Sequence, residues 1–582
     1  MGTGLLWALV LLRPVVATEI NVLEVGARGD GKSDDTKAIQ EAITALGPEG
    51  GVLRFPAGNY VVNAATLDRS HVTIEGEGPR RSILKVTRPG SYAFNLHQSS
   101  GAIEDVWIRG LGFEAAPGVD CKAVEIQENA SRIRISDCRF WNIAWGITFH
   151  SPRHVVVEDC RFEAPGFAPI GSSIECFGQG QDVLLQRNKF RFIHQGIHVK
   201  GAVTNLAVRD NHFDLGWWLL KETASGEGET VTYGANSLRD TAGDLAGFAF
   251  KHPAYGPGGF SHNVRVMPER GRGQGRVSGR ALTDPAAHFV ENKIKNGEIV
   301  RIGSVFGVVD RVVSETELTV EEWLDRSDYQ PTDPTSGAYT VFGILLGNLK
   351  TATATDLTMH WDHWKDLEGN DVLPPSGTRY EVLPLRPNYP MIAGIINESE
   401  ISRNVFLRGW CDQIYVFEGD DVLIAGNTIE SGQDMGITVS ETTRMRIVGN
   451  TIRRQGTSGI CLARDRGQDI EGVQVVGNTV ENAQTYYTLS DYAGDIQVTG
   501  SRNFIAYNRC RRSVAQSYQG IIVRASGVGV DYANNTILGN VFSGHRTAGI
   551  LLKADGGASI TGTRVDANQG TLVEQGSTGT KP

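Results

Sequence analysis

Four titratable residues stand at matching positions of a repeated strand pattern: Glu175 in SIECF, His198 and Lys200 in GIHVK, and Tyr415 in IYVF. Alternate side chains of a strand point to opposite faces, so if the isoleucines point inward, Glu175 and His198 point outward on one face. Neighbouring strands lie about 4.8 Å apart, which places these two residues one rung from each other. We therefore predict Glu175, His198, Lys200 and Tyr415 as the catalytic residues.

These residue types suit two reactions. A His, Lys or Tyr base beside a cation can remove the proton alpha to a uronate carboxyl group and drive β-elimination. Alternatively, Glu125 lies two rungs, or roughly 10 Å, from Glu175, and carboxylates ~6.5–9.5 Å apart suit inverting glycoside hydrolysis, whereas ~5–5.5 Å suits retention. A Glu–His neighbour pair on a soluble protein is also compatible with a plain surface contact. The spacing leaves elimination and hydrolysis open.

Further residues are predicted to bind the substrate. Acidic turns can supply an acid, a base or oxygen ligands for Ca²⁺, although such turns are usually only structural. Tryptophan faces can stack on sugar rings, although buried tryptophan is also common in small β modules. The predicted substrate-binding residues are Glu125, His150, Trp217, Trp218, Trp410, Glu418, Asp420 and Asp421, with Asp465 in a second acidic loop. No specific metal motif is present in the sequence, so no cofactor is predicted, and Ca²⁺ remains an option.

The strand pattern belongs to a longer repeat. GITFHSPRHVVVEDCRF begins at Gly146, and its counterparts begin at Ser173, Gly196, Gly436 and Gly520. A unit repeated every few tens of residues predicts a solenoid, in which each turn buries its apolar face against its neighbours. Cys138 and Cys160 align with Asn188 and other asparagines, which predicts a stacked corner ladder rather than nucleophiles.

Composition restricts the partners. The chain has 582 residues, 70 glycines and a formal net charge of −10, which argues against nucleic acid as the main partner. The 7 cysteines, an odd number, do not indicate a disulfide framework. Residues 1–17 have the apolar run and the small residue that precede cleavage of a secretory signal, so we expect secretion. No other apolar run is long enough to span a bilayer.

One stretch near the start resembles a known family. VGARGDGKSDDTKAIQEAI predicts an amphipathic helix that covers the open end of the solenoid. Together with the following GGVLRFPAGNYVV, it closely resembles the opening of the pectate-lyase-like superfamily. That resemblance implies a right-handed parallel β-helix and a polysaccharide lyase, glycoside hydrolase, sugar epimerase or tailspike depolymerase. The Gly-His-Gly, Asp-Pro-His-Asp and Trp-Val-Asp-His motifs of named members are missing, so no catalytic residue is carried over.

The predicted organisation is an all-β solenoid interrupted by one insertion. A probable signal peptide occupies 1–17, the cap and first part of the β-helix 18–224, the insertion 225–393, the second part 394–565 and a frayed tail 566–582. A small β-barrel or sandwich is expected at 292–346, and GRGQGR before it is read as a loop.

We predict a secreted enzyme that cleaves glycosidic bonds of a polysaccharide or oligosaccharide by hydrolysis or β-elimination. The alternatives are a non-catalytic glycan-binding adhesin or virion spike, and a sugar epimerase. We expect no nucleic-acid or membrane partner. A homotrimer is implied by the resemblance to tailspikes alone.

Overall fold

A computed structural model describes residues 18–99, 101–116, 119–164, 171–216, 218–219, 222–248, 262–327, 329–359, 361, 363–383, 389–463, 470–484, 493–513, 519–576 and 578–581. The predicted signal peptide, Trp217 and Asp465 lie outside these residues. None of the helices in the described part of the chain is long and apolar enough to cross a membrane.

The chain forms a right-handed parallel β-helix, which confirms the predicted fold. A typical turn has three strands, as in Trp145–His150, Arg153–Glu158 and Arg161–Glu163, and each pairs in parallel with its counterpart in the next turn. Among the described residues, first and second strands join into a 29-stranded sheet and third strands form a 14-stranded sheet. We call the rows of first, second and third strands sheet 1, sheet 2 and sheet 3.

The three rows have these bounds. Sheet 1 contains Ala65–Leu67, Tyr92–Leu96, Lys122–Ile126, Trp145–His150, Ser172–Phe177, Ile437–Ser440, Ile460–Ala463, Ile496–Val498, Gln519–Ser526, Ala548–Asp555 and Leu572–Gln575. Sheet 2 contains Glu19–Asn21, Gly51–Phe55, Val72–Gly76, Ile103–Arg109, Ala130–Ser136, Arg153–Glu158, Gln179–Gln186, Thr442–Thr443, Arg446–Val448, Gln474–Val476, Phe504–Ala506, Asp531–Ala533, Thr536–Leu538, Ser559–Asp566 and Thr578–Lys581. Gln195–Arg209, Tyr389–Ser402 and Ile414–Ala425 run through both rows. Sheet 3 contains Asp30–Asp34, Gly58–Val61, Ser82–Val86, Gly112–Ala115, Arg139–Trp141, Arg161–Glu163, Lys189–Arg191, His212–Asp214, Val405–Leu407, Thr428–Glu430, Thr451–Arg453, Thr479–Glu481, Arg509–Arg511 and Val541–Ser543.

The interior is built from repeated layers. Phe162, Phe190 and Phe213 stack on successive turns with ring centroids 4.9 and 4.4 Å apart. Each stacked aromatic pair adds about 0.5–1.5 kcal/mol to the burial of its rings. This stack explains the phenylalanine that closes the DCRF, RNKF and DNHF repeats.

The predicted corner ladder is present between sheets 2 and 3. Asn188 accepts the backbone N–H of Cys160 at 3.0 Å, and Asn211 accepts that of Asn188 at 2.9 Å. Burial raises the pKa of the Cys160 thiol well above its usual range. Cys160 is thus a ladder residue with an inert thiol.

A helix covers the N-terminal end of the solenoid. It spans Thr36–Ala45 and buries Ile39, Ala42 and Ile43 at helical spacing. Gln40 ties it to the first turn, because its amide both donates to and accepts from the backbone of Thr66, at 3.1 and 2.9 Å.

The insertion leaves the solenoid after His212–Asp214 and returns at Tyr389. Its closed barrel contains Glu269–Ser278, Ala281–Thr283, Ile299–Ile302, Val305–Ser314, Glu317–Asp325 and Gly337–Phe342. A second sheet contains Ala224–Gly226, Val231–Gly234, Ser237–Asp240, Asn263–Val266, Leu345–Ala352, Asp356–Met359, Lys365–Asp366 and Tyr380–Val382, and a short 3-10 turn spans Ala246–Phe248.

Two expected boundaries differ from the structure. The barrel starts at Glu269 rather than near residue 292, because GRGQGR lies in a strand and not in a loop. Its glycines are required by packing: a Cβ on Gly273 would lie 2.1 Å from a carboxylate oxygen of Asp284, and one on Gly275 would lie 2.3 Å from Leu282. The expected tail instead adds Leu572–Gln575 and Thr578–Lys581 to the solenoid.

Candidate functional site on sheet 1

The register of sheet 1 aligns three of the predicted catalytic residues, Glu175, His198 and Tyr415, in one outward column. Inward neighbours such as Ile174 and Ile197 are fully buried, which fixes the orientation of the residues between them. His198 follows Glu175 by one rung, and Tyr415 follows His198 by two rungs, or about 10 Å along the sheet. The column runs through Glu125, Thr148, Glu175, His198, Ile392, Tyr415 and Thr438.

Glu175 and Lys200 form the central ion pair of this site. The Lys200 ammonium lies 2.6 Å from Oε1 of Glu175. The Glu175 side chain is only 3% exposed, whereas that of Lys200 is 40% exposed. The carboxylate is therefore held below the surface, and the ammonium remains accessible from the groove.

His198 is held in one tautomer. Its Nδ1 lies 3.0 Å from the amide oxygen of Gln195, which also accepts a hydrogen bond from the Ser172 hydroxyl at 2.8 Å. The distance from Nδ1 to Glu175 Oε1 is 4.0 Å, too long for a hydrogen bond. Nδ1–H of His198 thus donates a hydrogen bond to the Gln195 amide oxygen. Nε2 is then the unprotonated nitrogen and carries a lone pair.

Burial, and then the nearby charge of Lys200, lower the pKa of His198 to about 4. Both factors disfavour the imidazolium form. His198 is therefore neutral at neutral pH and can accept a proton at Nε2.

Glu125 and His150 continue the same face toward the N-terminus. Oε1 of Glu125 lies 2.6 Å from the Lys122 ammonium and 3.3 Å from His150 Nε2. The His150 ring stacks on Phe177 at 5.5 Å, and the Lys200 ammonium lies 4.9 Å from the centre of the same Phe177 ring. Phe177 thereby connects the two predicted groups of residues.

A cavity of ≈ 560 Å³ opens beside this column. Its lining includes His198, Lys200, Phe417 and Glu418. Tyr415 stacks against Phe417 at a ring distance of 4.2 Å, which places the phenol next to the cavity wall. His198, Lys200 and Glu418 therefore line one cavity, with Glu175 paired to Lys200 and Tyr415 stacked on the lining residue Phe417.

The structure directs the other two predicted carboxylates, Asp420 and Asp421, away from the sheet 1 site. Asp420 forms an ion pair with Arg444 and accepts a 2.7 Å hydrogen bond from the Thr443 hydroxyl, so its oxygens are directed to the next turn. Asp421 is exposed in a left-handed corner with a φ of 53°. In the described part of the chain, no three His, Cys, Asp or Glu side chains converge as metal ligands.

Two predicted substrate-binding tryptophans are packing residues instead. Trp218 and Trp410 are 2% and 3% exposed and lie in one apolar cluster with residues of the insertion. So little of either side chain is exposed that a sugar ring cannot stack on it. Their role is to fix the insertion on the solenoid.

The sequence reasoning missed Ser172, Gln195 and the joining role of Phe177. Ser172 and Gln195 pair in register at the start of their strands, before the regular alternation begins. The sequence does contain a signal for Ser172 and Gln195, because each is a polar residue three positions before an outward Glu or His.

Comparison with known proteins finds family resemblance over two parts of the chain. The family described as rhamnogalacturonase A/epimerase, pectate lyase-like matches residues 19–109, and the right-handed β-helix region matches residues 388–510. Over these two regions the matches bear out the predicted resemblance to pectate-lyase-like proteins.

Individual relatives match over short stretches. The chain is 41% identical over 76 residues to alginate lyase 7 of Azotobacter vinelandii, which is 12% of this chain and 9% of the relative. It is 43% identical over 60 residues to plasmin and fibronectin-binding protein A of Streptococcus pneumoniae, 10% of this chain and 8% of the relative. The chain thus spans less than a tenth of the length of these relatives. The A-module of a mannuronan C-5 epimerase from Azotobacter vinelandii superposes with a TM-score of 0.40 at 13% identity, over 94% of this chain and 99% of the module.

Proposed function

We propose that this protein is a carbohydrate-active enzyme that cleaves a uronate-containing polysaccharide by β-elimination on sheet 1. The observation that carries the proposal is the neutral His198, whose Nε2 lone pair stands beside the ammonium of Lys200 in an open groove. The local similarity to an alginate lyase supports a uronate substrate.

Each residue has a defined role in the reaction. Nε2 of His198 removes the proton at the carbon alpha to the uronate carboxylate, and Lys200 neutralises the charge that develops on that carboxylate. The electron pair of the broken C–H bond forms the new C=C bond, and the glycosidic C–O bond breaks. The Tyr415 phenol donates a proton to the departing oxygen. Glu175 positions Lys200.

Hydrolysis fits this arrangement less well. It requires one protonated carboxyl group as general acid. Glu125 and Glu175 are each engaged by a lysine ammonium at 2.6 Å, so neither carboxyl group is directed at a glycosidic oxygen.

The test is an assay of the unmodified protein on alginate, polygalacturonate and neutral glucans, with detection of unsaturated product by ultraviolet absorbance and of reducing ends. We expect both signals on a uronate polymer, and a loss of about 100-fold or more in His198→Ala. The control is His154→Ala, which removes a histidine that is 53% exposed at a corner of the solenoid.

Other outcomes contradict the proposal. Reducing ends without ultraviolet absorbance indicate a hydrolase. Hydrogen exchange with solvent without chain shortening indicates an epimerase. Tight binding without any product indicates a glycan-binding protein.

A further inference from the structure

We propose that a groove on sheet 3, beside the inserted barrel, is a second binding site for a carboxylated glycan, separate from the sheet 1 site. This inference rests on the proposed function only in taking the ligand to be a glycan with carboxylate groups. The observations that carry it are the shape of the groove and the charges along it.

A column of basic residues follows successive turns of sheet 3. Arg139, Arg161, Lys189 and His212 pair in register from turn to turn. The phenylalanines beside them point into the core, so these four side chains point outward. Like charges that stand directly opposite each other on neighbouring strands destabilise a sheet. The column therefore has an energetic cost that an anionic ligand would remove.

Two of these basic residues have no counterion among the residues that the structure describes. Arg161 and Lys189 are exposed and form no ion pair with another described residue. Arg139, by contrast, is neutralised by Glu163 at 3.0 Å. Burial lowers the pKa of His212, which leaves that imidazole mostly neutral on the next turn.

Two cavities that share a lining residue lie along the groove. A cavity of ≈ 430 Å³ lies between the column and the barrel, and a second cavity of ≈ 550 Å³ continues along the solenoid past Arg80 and Arg81. Arg161 lines both cavities and so joins them. Arg139 donates to Gln330 of the insertion at 3.1 Å, which holds the wall of the groove in place.

The acidic residues of the groove favour a glycan over a nucleic acid. Each carboxylate that lines the ≈ 430 Å³ cavity forms an ion pair with an arginine. The pairs are Glu163 with Arg139, Asp310 with Arg280, Glu322 with Arg191, and Asp214 and Glu321 with Arg408. Such carboxylates can still accept hydrogen bonds from sugar hydroxyls. A phosphodiester backbone offers these carboxylates no hydroxyl donors, and the protein as a whole carries a net charge of −10.

The test compares the double variant Arg161→Gln/Lys189→Gln with the charge-matched control Lys37→Gln/Arg446→Gln, whose side chains are exposed elsewhere on the solenoid. Calorimetric titration of the full chain, with His198→Ala in every protein so that no oligomer is cleaved, uses oligomers of alginate and polygalacturonate, a neutral glucan and single-stranded DNA. We expect two binding sites for an oligouronate in this background. In the groove variant, the affinity of one site should fall by about 10-fold or more, because both cations that would bind the ligand carboxylates are removed.

The control should keep both sites, and Arg161→Lys/Lys189→Arg should restore the second site, which excludes a folding defect. The inference is overturned if the groove variant binds oligouronate like the control, or if DNA or the neutral glucan binds with equal affinity. Binding is measured without turnover, so the two proposals can fail separately. If the unmodified protein forms no product but two oligouronate sites are found, the proposed reaction is refuted and the second binding site is retained.

Discussion

The ammonium of Lys200 lies 2.6 Å from Oε1 of Glu175, although the two residues belong to successive turns of the solenoid. The same ammonium lies 4.9 Å from the centre of the Phe177 ring. A buried carboxylate thus holds a half-exposed cation at the edge of the groove, and the position of the cation depends on the stacking of turns rather than on a loop.

The first prediction concerns this ion pair. Lys200→Met leaves the Glu175 carboxylate buried without its cation and should lower the free energy of unfolding by about 1–3 kcal/mol. The double variant Glu175→Gln/Lys200→Met should recover most of this loss, since no charge remains buried. Urea denaturation measures the stability, and product formation should stay abolished in both variants. Equal stabilities of the single and double variants would show that the pair is not energetically coupled.

The second prediction concerns Gln195, a positioning residue. Gln195→Leu removes the acceptor for Nδ1–H of His198, so the imidazole can rotate or change tautomer, and kcat should fall about 10- to 100-fold. Gln195→Glu should keep the acceptor and stabilise the imidazolium form. The acidic limb of the kcat/KM profile should then move to higher pH. A purely structural role for Gln195 would change the melting temperature and leave the pH profile in place.

The strand register of sheet 1 could be predicted because the period-2 alternation survives in the sequence. Glu175 and His198 follow regular isoleucines, so their adjacency is readable from the repeat alone. Gln195 could not be assigned in this way, because it lies before the glycine where the chain bends into the strand. Trp218 and Trp410 illustrate another limit, since composition does not distinguish a ring that faces a groove from one that joins two modules.

The third prediction concerns the acid stability that His198 determines. Its pKa is about 4 in the folded protein and 6.5 in the reference state, so the unfolded chain binds a proton first as the pH falls. The contribution of His198 to the free energy of unfolding is therefore fully present above pH 6.5. It is lost as the pH falls from 6.5 to about 4, and the loss amounts to up to about 3 kcal/mol. His198→Gln should lack this loss. Urea unfolding of both proteins at the two ends of this window measures the difference, and parallel curves would contradict the low pKa.

The last prediction concerns the asparagine ladder that aligns the turns bearing both sites. Asn427 accepts the backbone N–H of Asn404 at 2.9 Å and donates to Ile401 O and to Asn450 Oδ1, both at 2.9 Å. Asn427→Ala leaves these buried groups unpaired and should cost about 2–4 kcal/mol. The isosteric Asn427→Asp keeps the acceptor and loses the donors, so a smaller loss that grows as the carboxyl group ionises is expected. Asn482, a partly exposed residue outside the ladder, supplies the comparison through Asn482→Ala, which should cost less. Chemical denaturation of the three variants ranks them, and an equal cost at both positions would mean that the ladder adds nothing beyond ordinary surface hydrogen bonds.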